Sequence, residues 1–122
     1  MRPGGPILIV DDNEDTRDVL AHMLHFKGYS TVEVETGTEA LTYLRGGGAP
    51  CLIVLDMRLP DIGGHELHAQ LKSDPQFAQI PIVIYSAGAV DKPPQDAVAY
   101  VRKSDDPDTL LDAIAKACLK RK

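Results

Sequence analysis

The sequence predicts an α/β fold: a doubly wound, five-stranded parallel sheet in the order 2-1-3-4-5. Three observations predict it. Short apolar runs alternate with amphipathic stretches along the whole chain. The most apolar run, Cys51 to Leu55, lies mid-chain, as a central strand should. The connections between runs are short, so each strand and its following helix form a crossover unit that covers the sheet on both faces.

In chain order, Pro6 opens Ile7-Leu-Ile-Val10, a continuous apolar run suited to a strand buried on both faces. Thr16, Val19, Leu20, Met23 and Leu24 then repeat at helical spacing and predict a helix facing the core, closed by Lys27-Gly28. Val32 and Val34 alternate with Thr31, Glu33 and Glu35, the pattern of a half-exposed edge strand. Thr38 to Arg45, with Ala40, Leu41 and Leu44, predicts a short helix ended by Gly46-Gly-Gly48. After the Cys51–Leu55 strand comes a helix from about Gly64 to Ser73 with Leu67 and Leu71 on one face. Pro81-Ile-Val-Ile-Tyr85 is a fourth strand and Ala97 to Val101 a weaker fifth. Pro107 to about Leu119 predicts a last helix, with Pro in its first turn and Leu110, Ile114, Ala117 and Cys118 inward. With the edge strand second in sequence, 2-1-3-4-5 is the natural order. The ligand crevice then lies beyond the carboxyl ends of strands 1 and 3, where the winding reverses.

Composition narrows the function. The chain has 122 residues, 43% hydrophobic and 25% charged, which suits one packed domain spanning 1–122 with a core from about 7 to 119. Thirteen Lys and Arg against eighteen Asp and Glu give a net charge of −5. The basic cluster of Lys116, Lys120, Arg121 and Lys122 reads as favourable charge at a helix C-terminus, so no direct nucleic-acid binding is expected. No apolar run approaches the roughly 20 residues of a membrane span, and no secretory leader is recognisable at the N-terminus. The two cysteines, Cys51 and Cys118, lie in apolar contexts. They suggest a reduced, cytoplasmic setting rather than a disulfide framework.

The residues at the strand ends carry the chemistry. Asp11 and Asp12 follow strand 1, Asp56 follows strand 3, Ser86 follows strand 4, and Lys103 follows strand 5 closely. The predicted topology brings all of them to one crevice. Three adjacent carboxylates repel unless a cation sits among them. An all-oxygen set suits a hard ion such as Mg²⁺. A carboxylate beside such an ion can attack a phosphoryl group and become an aspartyl phosphate. A lysine ammonium offsets the charge on the phosphoryl oxygens, and a serine hydroxyl can donate to one of them. Singly, each has a plainer reading: Asp11 to Glu14 as a helix cap, Asp56 as a turn residue before Pro60, Ser86 as a loop serine, Lys103 as a solvated side chain. Those readings do not predict their joint placement at strand ends.

From about Ile7 to Leu119 the sequence resembles the receiver domain of two-component response regulators, of the chemotaxis-regulator-like, flavodoxin-like kind. The resemblance rests on Ile-Leu-Ile-Val-Asp-Asp-Asn (7–13), Leu-Ile-Val-Leu-Asp-Met-Arg-Leu-Pro-Asp-Ile-Gly-Gly (52–64), Ile-Pro-Ile-Val-Ile-Tyr-Ser-Ala (80–87) and Tyr-Val-Arg-Lys (100–103). It implies that Asp56 accepts a phosphoryl group from the phosphohistidine of a sensor histidine kinase or phosphotransfer protein. It implies that Asp12, Asp56 and the backbone carbonyl of Arg58 bind Mg²⁺, with Asp11 acting through a metal-bound water. Lys103 would pair with the phosphoryl oxygens. Ser86 and Tyr100 would form the switch that alters the surface offered to a downstream protein. Such a module is not an enzyme in the ordinary sense, because it catalyses only its own phosphorylation and dephosphorylation.

The sequence also departs from the family pattern. Ser104 follows Lys103 where proline is usual. The link from Ser86 to Lys103 is about five residues shorter than usual and contains Pro93-Pro94, which cannot sit cheaply mid-helix, so the fourth helix should be shortened or missing and the output face altered. These departures favour an alternative, a receiver-like interaction module that works without phosphorylation. The acidic pair, Asp56, Ser86 and Lys103 favour the phosphoacceptor. A phosphatase with an aspartate nucleophile would need an acid/base Asp two residues after Asp56, where Arg58 stands. The pairs His22/His25 and His65/His68 read as surface histidines rather than metal ligands, because no third ligand accompanies either. His22 and His25 could instead help to dock a kinase, and Arg58 could tune the phosphate lifetime.

Overall fold

The computed structural model describes residues 5–87 and 97–120, with side chains up to Cys118. Its elements run β1 (Ile7–Val10), α1 (Glu14–Phe26), β2 (Thr31–Val34), α2 (Gly37–Arg45), β3 (Leu52–Leu55), α3 (Gly64–Ser73), β4 (Ile82–Ser86), β5 (Ala99–Arg102) and α4 (Pro107–Lys120). The sheet is parallel throughout, in the order β2-β1-β3-β4-β5. The expected order is therefore the observed one.

Each inner strand feeds two cores because its side chains alternate faces. Ile7, Ile9, Leu52, Val54, Val83 and Val101 meet Leu20 and Leu24 of α1 and Leu110 and Ile114 of α4. Leu8, Val10, Ile53, Leu55, Ile82 and Ile84 meet Leu41 and Leu44 of α2 and Leu67 and Leu71 of α3. That double duty is why β1 and β3 are apolar at every position. Edge strand β2 is only half-buried and keeps Glu33 exposed.

Local chemistry fixes where the helices start and stop. The Asn13 side chain caps α1 by accepting from the Thr16 N–H at 3.0 Å. At the other end Gly28, at φ 93°, donates to the His25 carbonyl, and the Tyr29 N–H donates to the Leu24 carbonyl at 2.9 Å. This is a Schellman closure, with buried Tyr29 packed in the same core as Leu24. The Thr36 hydroxyl accepts from the Glu39 N–H to cap α2.

Several expectations need correction. Val19 is 58% exposed, and the inward face of α1 is Leu20, Ala21 and Leu24. The stripe is rotated by about one residue, because the small Ala21 rather than Val19 faces the packed interior. His68 is buried rather than on the surface, since the packed face of α3 spans Leu67, His68 and Leu71; His65 is exposed as expected. Ser86 is the last residue of β4 rather than the first beyond it, Cys51 precedes β3, and β5 is shifted C-terminally to Ala99–Arg102. The short or missing helix between β4 and β5 concerns residues 88–96, which lie outside the described residues. Its flanks Ala87, Ala97 and Val98 are non-helical.

Candidate functional site

The backbone ladder runs one residue past the strands and so places the functional side chains. The Asp11 N–H donates to the Val34 carbonyl of β2 at 3.2 Å, and the Asp56 N–H donates to the Val10 carbonyl of β1 at 3.0 Å. The Lys103 N–H donates to the Ser86 carbonyl at 2.8 Å. Three residues distant in sequence are thereby pinned to the C-terminal edge of one sheet. Ser86, at 1% exposure, pairs with Arg102 in the β4–β5 register.

Side chains converge from these fixed positions. One carboxylate oxygen each from Asp11, Asp12 and Asp56 lies within 4.8 Å of the others. Among the described residues no other His, Cys, Asp and Glu cluster is poised to share an ion. Asp11 and Asp56 are buried and Asp12 is exposed, so the cluster has a closed floor and an open side. The Lys103 ammonium reaches Asp11 at 2.8 Å and Asp56 at 3.4 Å, bridging the two buried carboxylates.

Neither Asp11 nor Asp12 is the cap of α1; Asn13 is. Asp11 does steady the turn, accepting from the Asn13 N–H through Oδ1 at 2.9 Å. Arg17 donates from Nη1 to the Asp11 carbonyl at 2.6 Å and lies 4.0 Å from Glu33. The Arg58 N–H donates to Asp56 Oδ1 at 3.1 Å, holding the carboxylate over its own loop.

The charge balance follows from this geometry. Burial pushes the Asp56 carboxyl above its ordinary value, the Arg58 N–H pulls it down, the Asp11 charge raises it, and Lys103 lowers it. The net direction is up, chiefly because burial disfavours the charged carboxylate. Burial alone would lower the Lys103 pKa, yet its hydrogen bond to Asp11 and the charges of Asp56 and Asp11 outweigh that and raise it. Lys103 therefore stays protonated, and three carboxylates face one fixed cation. A site of hard oxygen donors with excess negative charge and one open side fits a divalent ion such as Mg²⁺.

A family model described as response regulator receiver domain matches residues 7–115. The chain belongs to that family. This places the receiver domain among the modules of two-component signalling. The polar-differentiation response regulator DivK of Brucella ovis is 33% identical over 84 residues, covering 69% of this chain and 68% of that protein. Among solved structures, a CheY-like response regulator receiver domain protein from Methanospirillum hungatei superposes with a TM-score of 0.86 at 25% identity, covering 96% of this chain and 95% of that one. The response regulator TrrA of Thermotoga maritima, solved in complex with Mg²⁺-BeF, superposes with a TM-score of 0.82 at 28% identity, covering 93% of this chain and 98% of that one.

Of the residues expected at this receiver domain's site, Asp11, Asp12, Asp56 and Lys103 are brought into one cluster. Ser86 sits buried at the same sheet edge, and Arg58 reaches the cluster through its N–H. Half-buried Tyr100 pairs with Ile84 and packs on the α2–α3 side of the sheet. Two supporting contributions escaped the sequence reading. Asp61 accepts from the Gly37 N–H at 3.0 Å, the Thr38 N–H at 2.8 Å and the Thr38 hydroxyl, tying the loop after Asp56 to the start of α2. Gly64 lets α3 start directly against that loop: a Cβ there would lie 2.6 Å from Met57 Cα and 2.9 Å from the Asp56 carbonyl oxygen. The spacing of Gly64 was visible in the sequence; its steric reason was not.

Proposed function

We propose that this receiver domain is a phosphoacceptor in a two-component phosphorelay, with Asp56 as the residue that takes the phosphoryl group. One observation carries the reading: Lys103 is drawn onto both Asp11 and Asp56 at a sheet edge that also holds Asp12 and Ser86. Burial and the neighbouring Asp11 charge raise the Asp56 carboxyl, which makes its carboxylate a more basic nucleophile.

Asp11, Asp12, Asp56 and the Arg58 carbonyl would hold Mg²⁺. When bound, the ion would supply positive charge that offsets the charge building on the phosphoryl oxygens. An Asp56 carboxylate oxygen attacks phosphorus, the P–N bond to the donor imidazole breaks, and the imidazole leaves with the bonding pair. The Lys103 ammonium shifts its pairing from Asp56 Oδ2 toward a phosphoryl oxygen, and the Ser86 hydroxyl donates to another. Tyr100, half-buried on β5, follows Ser86 inward and changes the surface around it. The added charge thus biases a two-state element. The donor is a sensor histidine kinase or a phosphotransfer protein, the reader is a downstream protein, and the setting is the cytoplasm.

The test is incubation with a phosphohistidine donor or acetyl phosphate, with and without Mg²⁺, read as intact mass. One phosphoryl group gained only with Mg²⁺, and none in Asp56→Asn, is the expected result. An unmodified mass together with no Mg²⁺ binding would overturn the reading in favour of a module that works without phosphorylation.

A further inference from the structure

The far end of the sheet holds a second reactive pair that the phosphoacceptor chemistry does not use. Cys51 immediately precedes β3 and is 4% exposed, while Cys118 lies on the last turns of α4 and is partly exposed. Their sulfurs are 3.4 Å apart although the residues are 67 positions apart in sequence. Neither is in a disulfide. A disulfide needs roughly 2.05 Å between sulfurs, so closing the pair asks for little more than an ångström of side-chain movement. The Cys51 N–H donates to the Pro6 carbonyl at 2.9 Å, which fixes one partner on the rigid sheet. Ala117 and Ile114, buried in the same core, fix the helix that carries the other.

We propose that Cys51 and Cys118 form a redox-sensitive dithiol that hydrogen peroxide converts to an intramolecular disulfide, stapling α4 to the start of β3. The more accessible Cys118 thiolate attacks the peroxide oxygen. The O–O bond breaks, giving a sulfenic acid and a hydroxide that takes up the thiol proton as water. The Cys51 thiolate then attacks the sulfenic sulfur. An S–S bond forms, the S–O bond breaks, and the oxygen leaves as a second water. Two sulfurs lose two electrons in all, and one peroxide is reduced to two waters.

The proposal does not depend on the reading of Asp56. Five residue steps along extended chain separate Cys51 from Asp56, about 17 Å at strand rise. Oxidation therefore acts on α4 without touching the acidic cluster.

The test uses the full chain, reduced and then titrated with hydrogen peroxide. It is denatured, treated with N-ethylmaleimide and weighed intact. Before oxidation two maleimides should add. Afterwards none should add, the chain should remain a monomer, and its mass should fall by about 2 Da, the two hydrogens lost to the bridge. Dithiothreitol should restore both adducts. The melting temperature of the oxidised chain should rise by roughly 10 °C, because the bridge closes a long loop in the unfolded state. Oxygen adducts with Cys51 still alkylated, an interchain dimer, or two maleimides after oxidation would overturn the dithiol. An unchanged or lower melting temperature would overturn the claim that the bridge fits the native spacing. Cys118→Ser, which removes the attacking thiol and leaves Cys51 nothing to pair with, should show no 2 Da loss.

Discussion

At their N-terminal ends the central strands are entered from Pro6 and Cys51, close to a thiol pair and apolar packing; at their C-terminal ends the same strands run into Asp11 and Asp56, two buried carboxylates bridged by one ammonium. Only four residues separate the ends in each strand. The backbone pairs equally well at both, so the contrast lies in the side chains. A strand buried on both faces cannot carry charge within its length. The first residue past it can, because its backbone is still held by the ladder while its side chain reaches the open edge. The apolar strands stabilise the fold, and the acidic edge spends part of that stability on a preorganised site.

That contrast can be broken at the acidic edge first. Asp56→Asn should abolish Mg²⁺-dependent phosphoryl incorporation while leaving the metal-free melting temperature equal or higher. The raised Asp56 carboxyl gives the sign. Between 3.8 and its raised value the folded chain holds the proton more tightly than the unfolded chain, so this group's contribution to stability falls as pH rises through that window. The stability advantage of Asp56→Asn should therefore be larger at neutral pH than near pH 4, which urea melts at both pH values will show.

A substitution inside the strands should behave in the opposite way. Ile53→Ala, at a fully buried position of β3, should cost about 2–5 kcal/mol in urea melts, and Mg²⁺ should leave that difference largely unchanged. Lys103→Met lies between these cases. Without metal it should destabilise by about 1–3 kcal/mol, because Asp11 and Asp56 lose their shared cation. Saturating Mg²⁺ should recover much of that loss. The raised Lys103 pKa implies that its contribution is present below pH 10.5 and disappears as pH rises through the higher folded value.

The smallest effect is expected at Asp61. Hydrogen bonds from the Thr38 hydroxyl and from the Thr38, Ile62 and Gly37 N–H groups together hold its carboxyl well below the usual carboxylate range, against the opposing effect of burial. Its contribution is thus present above 3.8 and lost as pH falls below that value toward the folded pKa. Asp61→Asn should lower the melting temperature by a few degrees at neutral pH, and the difference should shrink in strongly acidic buffer.

Legibility in the sequence follows the same division. The β1 and β3 runs announced themselves because double burial forces apolar residues at every position, and the residues ending them could then be placed at one edge. Lys103 was found by its position after the fifth strand, even though Ser104 replaces the usual proline; the lysine still reaches both carboxylates. What stayed hidden depends on packing between segments distant in sequence. Asp61 meets Gly37 and Thr38 across 24 and 23 positions, and Cys51 meets Cys118 across 67. Periodicity cannot register such pairs. Nor could it show that Ala21 rather than Val19 faces inward, since a helix stripe wide enough for a core leaves its edges to be chosen by the neighbour.

The central claim is that Asp56, and no other group at the acidic edge, takes the phosphoryl group. Its most direct test is to phosphorylate the chain in Mg²⁺, reduce it with borohydride and map the peptides. Hydride cleaves an aspartyl phosphate to homoserine. Homoserine at position 56 alone, absent from the sample lacking Mg²⁺, is the predicted result. Homoserine at position 11 or 12, or a phosphoryl group that survives borohydride on a histidine, would contradict it.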